Sequence, residues 1–156
     1  MTENAVTENP VTGNPVAGSS RSGGPLARSG PVFAALVGLT TLAILLQAVF
    51  AGEFVDRAKT GGWLSAHNAN AIVVIALAVI TAIYAVAMLR ASARPLVIGS
   101  VVLAVLVIVQ TVIGHAITDD NDNGLLVIHI PLAMLVFGLA IWLSAKARNL
   151  RRAAGG

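Results

Sequence analysis

The sequence predicts an all-α protein: a four-transmembrane-helix bundle built from a duplicated two-helix hairpin, with both termini cytoplasmic. Three observations predict it. Hydrophobic residues make up 56% of the 156 residues and charged residues only 11%, with a mean hydropathy of +0.84, too apolar for a soluble globular domain. Four apolar stretches recur at 31–51, 67–89, 95–117 and 125–145, each close to the ~20 residues a helix needs to cross the hydrocarbon core. The basic residues gather at one set of helix ends.

Residues 1–30 are rich in Thr, Asn, Pro, Gly and Ser and hold a near-repeat, Thr2–Val6 followed by Thr7–Val11. Such a segment buries too little apolar surface to offset its ordering entropy, so it is expected to be a disordered cytoplasmic tail. The first apolar stretch follows Arg21 and Arg28, as a signal peptide would. It is long for an excised segment, however, and Ala48-Val49-Phe50-Ala51 is a poor cleavage site, so it is read as a retained span. The other three stretches are continuous runs of Leu, Val, Ile and Ala without period-2 alternation, which selects helices over barrel strands. Nothing amphipathic remains to cover four such helices in water. The four-helix domain is therefore placed at 31–146, followed by a short basic tail over 147–156.

Charge sets the orientation. With an even number of spans, both termini and the Arg90–Arg94 turn share a side, which holds Arg21, Arg28, Arg90, Arg94, Lys146, Arg148, Arg151 and Arg152, eight of the ten basic residues. The positive-inside rule places that side in the cytoplasm of a cell-membrane protein. Glu53, Asp56, Asp119, Asp120 and Asp122 fall in the two outer loops with Arg57 and Lys59. The high pI of about 10.2 is thus a topology signal, and nucleic acid is not an expected partner. Cysteine is absent, which excludes disulfides, thiolate metal sites and Cys nucleophiles.

Laying the first pair of stretches over the second puts Gln47 on Gln110, an offset of 63, and His67 on His129, an offset of 62. A small residue stands four positions after each Gln (Ala51, Gly114) and Ala four positions after each His (Ala71, Ala133). Gln and His are rare inside membrane helices, so their paired recurrence marks the duplication and points to a shared site between the halves. At ~1.5 Å of rise per residue, His67 and His129 fall about 6 and 7.5 Å inside the outer end, nearly level. Polar side chains at that depth need partners and are functional candidates by default. Two level imidazoles on alternate helices could supply both axial nitrogens of a haem iron. The bland alternative is that each merely bonds to Gln47, Gln110 or loop backbone.

Four helices with His at the outer ends of the second and fourth, and Gln-x-x-x-small in the first and third, resemble one four-helix half of the haem A synthase family. The resemblance covers roughly 33–145. It implies that His67 and His129 are axial ligands of haem b, and that Gln47, Gln110 and His115 belong to the cofactor site. Two departures stand out: Leu64 occupies the place of the catalytic glutamate three residues before the first His, and Asn68 that of the basic residue after it. Haem A synthesis is disfavoured accordingly.

Other features carry less. Asp119–Gly124 matches the opening of a calcium loop, but position twelve is Ile130 where a bidentate Glu belongs. Trp63 and Trp142 read as interfacial anchors. No His-Glu-x-x-His, phosphate loop, intramembrane acid or nucleophilic triad is present. The sequence is therefore read first as a b-type haem protein, passing electrons or holding haem near the outer face. A cofactor-free accessory or transporter-like subunit and a haem-modifying enzyme are the alternatives. The bilayer is the expected environment, and a redox protein or a quinone, and a homo- or hetero-oligomer, stay open as partners.

Overall fold

The structure, a computed structural model, describes residues 25–56, 62–119 and 123–155. Four long helices form it: α1 (Pro25–Asp56), α2 (Trp63–Leu89), α3 (Arg94–Asp119) and α4 (Leu126–Gly155), with a 3₁₀ turn over Asn123–Leu125 leading into α4. Each helix contacts its neighbours in the ring α1–α2–α3–α4. Among the described residues the diagonal pairs α1/α3 and α2/α4 bring no Cα atoms within 8 Å. The result is an up-and-down bundle with space at its axis.

All four helices contain a span long and apolar enough to cross a membrane: Ser29–Glu53, Trp63–Leu89, Arg94–Thr118 and Asn123–Arg152. Their outward faces are aliphatic, with Ile72, Val127, Met134 and Leu135 among the most exposed side chains. A soluble bundle could not carry so continuous an apolar surface, so the chain is a multi-pass membrane protein whose solvent is lipid.

The inward faces follow a 3–4 spacing, as helices in a bundle of small crossing angle require. On α1 the buried stripe is Phe33, Val37, Thr40 and Ile44; on α3 it is Leu96, Ser100, Leu103 and Val107, the same positions 63 residues later. On α2 it includes Val74, Ala78, Thr81 and Ala85; on α4 it is Val136, Ala140, Leu143 and Ala147, the same positions 62 residues later. The repeat first seen in Gln and His thus extends to the packed seam, and the side chains differ where the positions agree. Thr40 and Thr81 bring their hydroxyls to 3.1 Å in the first hairpin, whereas their counterparts Leu103 and Leu143 are a fully buried apolar pair. Likewise Thr41 meets Ser144 at 2.9 Å across α1–α4, where the equivalent α2–α3 positions are the buried alanines Ala82 and Ala104.

Two helices outrun their apolar stretches. Residues 25–30 belong to α1, and α4 continues to Gly155. The extensions pack on each other: Ser29 and Ala147 are buried, the Tyr84 hydroxyl donates to the Ser29 carbonyl (3.2 Å), and Gly30 lies against Leu150 and the Arg151 backbone. Ala, Arg and Lys propagate a helix well once one is formed, so leaving the hydrocarbon does not end it. Of the tail expected over 1–30, residues 25–30 are helical and 1–24 lie outside the described residues, as do most of the two loops at the histidine end. Of the calcium-like turn only Asn123 and Gly124 are placed beyond α3, both in the 3₁₀ turn.

Near the termini the helices pack closely. The Trp142 ring and Leu143 lie so near Gly99 that a Cβ there would sit 2.9 and 3.0 Å from them, so the bare backbone at Gly99 lets α4 side chains pack directly on α3 here. At the opposite end the bundle loosens. That is where the histidines are.

Candidate functional site

A cavity of about 540 Å³ occupies the histidine end, walled by all four helices. Its volume lies within the ~300–1,000 Å³ of small-molecule and cofactor sites. Ile44, Val74, Val107 and Val136, one from each helix and equivalent in the repeat, are buried and border it nearest the packed core. Beyond this aliphatic layer lie Gln47, Gln110, His67, His129 and His115. The five candidate residues of the sequence therefore meet in one space. Ala48, Ala51, Ala71, Gly114 and Ala133 also line it, and these short side chains keep the axis open.

The first hairpin holds its histidine by the ring. His67 Nδ1 lies 3.1 Å from the Gln47 backbone oxygen. A carbonyl only accepts, so Nδ1 carries the proton and the neutral ring's lone pair sits on Nε2. The sequence offered the Gln47 amide as that partner. The structure uses the carbonyl instead, because the Gln47 Oε1 accepts from Asn70 Nδ2 at 2.6 Å, and Asn70 also donates to the Ala43 carbonyl at 2.9 Å. Asn70 lies three residues after His67, one turn along α2. Its signal was available in the sequence as a rare amide inside an apolar run.

The second hairpin holds its histidine by the backbone. Gln110 Nε2 donates to the His129 carbonyl at 2.8 Å. The position matching Asn70 is Leu132, so no amide reaches Gln110, and Gln110 Oε1 and His129 Nδ1 are both buried without a hydrogen-bond partner. Buried polar atoms without partners are costly and mark places where a further molecule could bond. The His129 ring itself rests on Gly114, where a Cβ would lie 3.2 Å from Cε1. The "small" position of the Gln-x-x-x-small pattern thus has a specific task in this half: it makes room for the imidazole.

His115, one residue after Gly114, borders the cavity but is itself exposed. Leu64, in the first turn of α2, is half-buried and is not among the cavity-lining residues. Phe50 and Trp63 bring their rings to 6.2 Å between α1 and α2. Trp63, expected as an interfacial anchor, thereby has a packing role. Among the described residues no group of three His, Cys, Asp or Glu is placed to hold a metal ion. Comparison with protein-family models, with curated proteins and with solved structures gives no match.

Proposed function

We propose that the cavity holds a b-type haem between His67 and His129, and that the protein passes single electrons or stores haem near the outer face of the cell membrane. The observation that carries this reading is that both histidines and both glutamines, drawn from all four helices, line one cofactor-sized cavity. When bound, haem supplies a one-electron iron couple in a largely apolar setting.

The chain's own residues fit the part. His67 presents Nε2 as the ligating atom because Gln47 fixes the proton on Nδ1. Gly114 leaves space for the His129 ring, and the aliphatic layer of Ile44, Val74, Val107 and Val136 closes the cavity toward the core. An axial pair fills both coordination positions, which favours electron transfer over oxygen chemistry. The eight basic residues at the terminal end favour a cytoplasmic placement of the termini, which puts the cavity near the outer face.

Protein purified after expression with adequate haem should show the sharp reduced-state bands of a six-coordinate b-type cytochrome. His67→Ala and His129→Ala should each weaken haem retention, and His115→Ala should leave the spectrum largely intact. Colourless wild-type protein, or unchanged spectra in both ligand variants, overturns the reading in favour of a cofactor-free accessory subunit. One observation favours that second reading: the His67–Gln47 and Gln110–His129 bonds already tie α1 to α2 and α3 to α4.

A further inference from the structure

Repeat symmetry would make the α1–α4 and α2–α3 seams alike, and at the cavity they differ. Below the cavity α1 and α4 are clamped, with the Thr41 hydroxyl 2.9 Å from that of Ser144 and 3.3 Å from the Ala140 carbonyl. One to two turns higher the same two faces carry Leu45 on α1 and Met134 and Phe137 on α4, and all three border the cavity. Their counterparts on the other seam, Ile108, Ile72 and Ile75, are all described and none is among the cavity's walls. Leu45 and Met134 also face outward, 46% and 72% exposed. Exposed residues also line the cavity at its outer end, Gly52, His115, Leu126 and Ile130, but Leu45 and Met134 open it deeper in the apolar spans, on the α1–α4 side alone.

The sequence supplies a physical cause. Pro131 lies inside α4, and its counterpart in α2 is Ala69. Proline has no N–H to offer the Val127 carbonyl and its ring presses on that carbonyl, so this turn of α4 is weakened where the matching turn of α2 is whole. Leu45 stands eight residues before the end of the first span at Glu53, and Met134 eleven after the start of the fourth at Asn123, which is about 12–17 Å of helix rise inside the span ends.

We infer that the α1–α4 seam is a lateral entrance through which the cavity takes its ligand from the bilayer rather than from the aqueous phase. The ligand is a flat, largely apolar, membrane-soluble molecule with one polar edge. The apolar part matches the walls from Leu45, Met134, Phe137 and the aliphatic layer, and the polar edge matches the histidines and glutamines. Haem and an isoprenoid-type quinone share that chemistry. The entrance stands independently of the haem reading, since its geometry is indifferent to iron.

The test uses the full chain in lipid nanodiscs. Because the protein has no cysteine, Met134→Cys and its repeat-equivalent Ile72→Cys can each carry one environment-sensitive fluorophore. Haemin and a short-tailed benzoquinone, both quenchers, are supplied separately from preloaded vesicles. Quenching that saturates at position 134 and rises only linearly at 72 is the expected result. Ala48→Trp, which adds bulk to the α1 wall of the cavity, should weaken the saturable binding about tenfold, ~1.4 kcal/mol. If that variant loses its helical circular dichroism, the comparison of 134 with 72 decides alone. Saturation with the quinone but not haemin supports the entrance and removes the haem reading; saturation with haemin alone supports the entrance and assigns its cargo. Equal quenching at both positions, or saturation with neither molecule, overturns the inference.

Discussion

Replacing Gly114 separates the stability of the bundle from the state of its site. A Cβ at this position would lie 3.2 Å from His129 Cε1, so the ring must yield by a few tenths of an ångström. The ring can yield, because its Nδ1 makes no hydrogen bond that would hold it. Alanine also removes a helical glycine, which favours the helix by up to ~1 kcal/mol. For Gly114→Ala these terms nearly cancel, and the expected change in unfolding free energy is within about 0.5 kcal/mol of zero, the range of a mutation touching no strained feature. Valine adds two methyl groups against the same ring, and overpacking of that kind costs about 1–3 kcal/mol. Unfolding in mixed micelles of rising dodecyl sulfate fraction, followed by circular dichroism, measures both. The cavity should report differently: each substitution pushes the imidazole off its seat, so haem retention should fall in Gly114→Ala although stability does not. A Gly114→Val protein as stable as wild type would refute the packing of His129 on Gly114, with or without a cofactor.

The remaining predictions concern the polar ties and the orientation. Asn70→Leu copies the second hairpin into the first and leaves Gln47 Oε1 without the amide that serves it; a loss of about 0.6–1.7 kcal/mol is expected from interhelical hydrogen-bond energies in membranes, and no loss would show the bond to be idle. Thr40→Val and Thr81→Val should each cost little, because the partner hydroxyl keeps its own carbonyl four residues back, Leu36 for Thr40 and Leu77 for Thr81. A double-mutant cycle at this pair should give a coupling of roughly 0.6 kcal/mol, and a coupling above about 2 kcal/mol would mean that the pair acts as a buried network. For topology, Asn121→Cys should react with an impermeant thiol reagent in intact cells and Ser92→Cys should not; the reverse pattern overturns the cytoplasmic assignment of the termini.

The four helices were legible because hydrocarbon length and apolar composition leave few alternatives, and the repeat was legible through two residue types that membranes rarely admit. Gln47, Gln110, His67 and His129 announced the shared space before any geometry was known. The hydroxyl ties were not legible: Thr40, Thr41, Thr81 and Ser144 are common in membrane helices, and only packing shows which of them meet. The bond from His67 to a carbonyl rather than an amide depends on Asn70 competing for Gln47, a three-body outcome that spacing alone does not express. The helices run past the apolar stretches, to Pro25 and Gly155, because apolar length marks the membrane and not the helix. The unequal seams were not legible either, since Leu45, Met134 and Phe137 are as apolar as their counterparts Ile108, Ile72 and Ile75 and only the first three line the cavity.

Among the described residues, several side-chain hydrogen bonds join the helices of the first hairpin. Thr40–Thr81, Asn70–Gln47, His67–Gln47 and Tyr84–Ser29 all join α1 to α2, while Gln110–His129 joins α3 to α4. A ribosome delivers the amino-terminal pair first, and for the time needed to make the rest that pair sits in lipid without the second as its partner. Lipid gives apolar faces no reason to associate, so directional bonds are what can hold a nascent hairpin in register. The leucines and alanines of α3 and α4 need no such device, since they arrive at a template already assembled. Crosslinking between α1 and α2 in ribosome-arrested chains, before α3 has emerged, is the expected outcome; its absence until the whole chain is released would place assembly after synthesis instead.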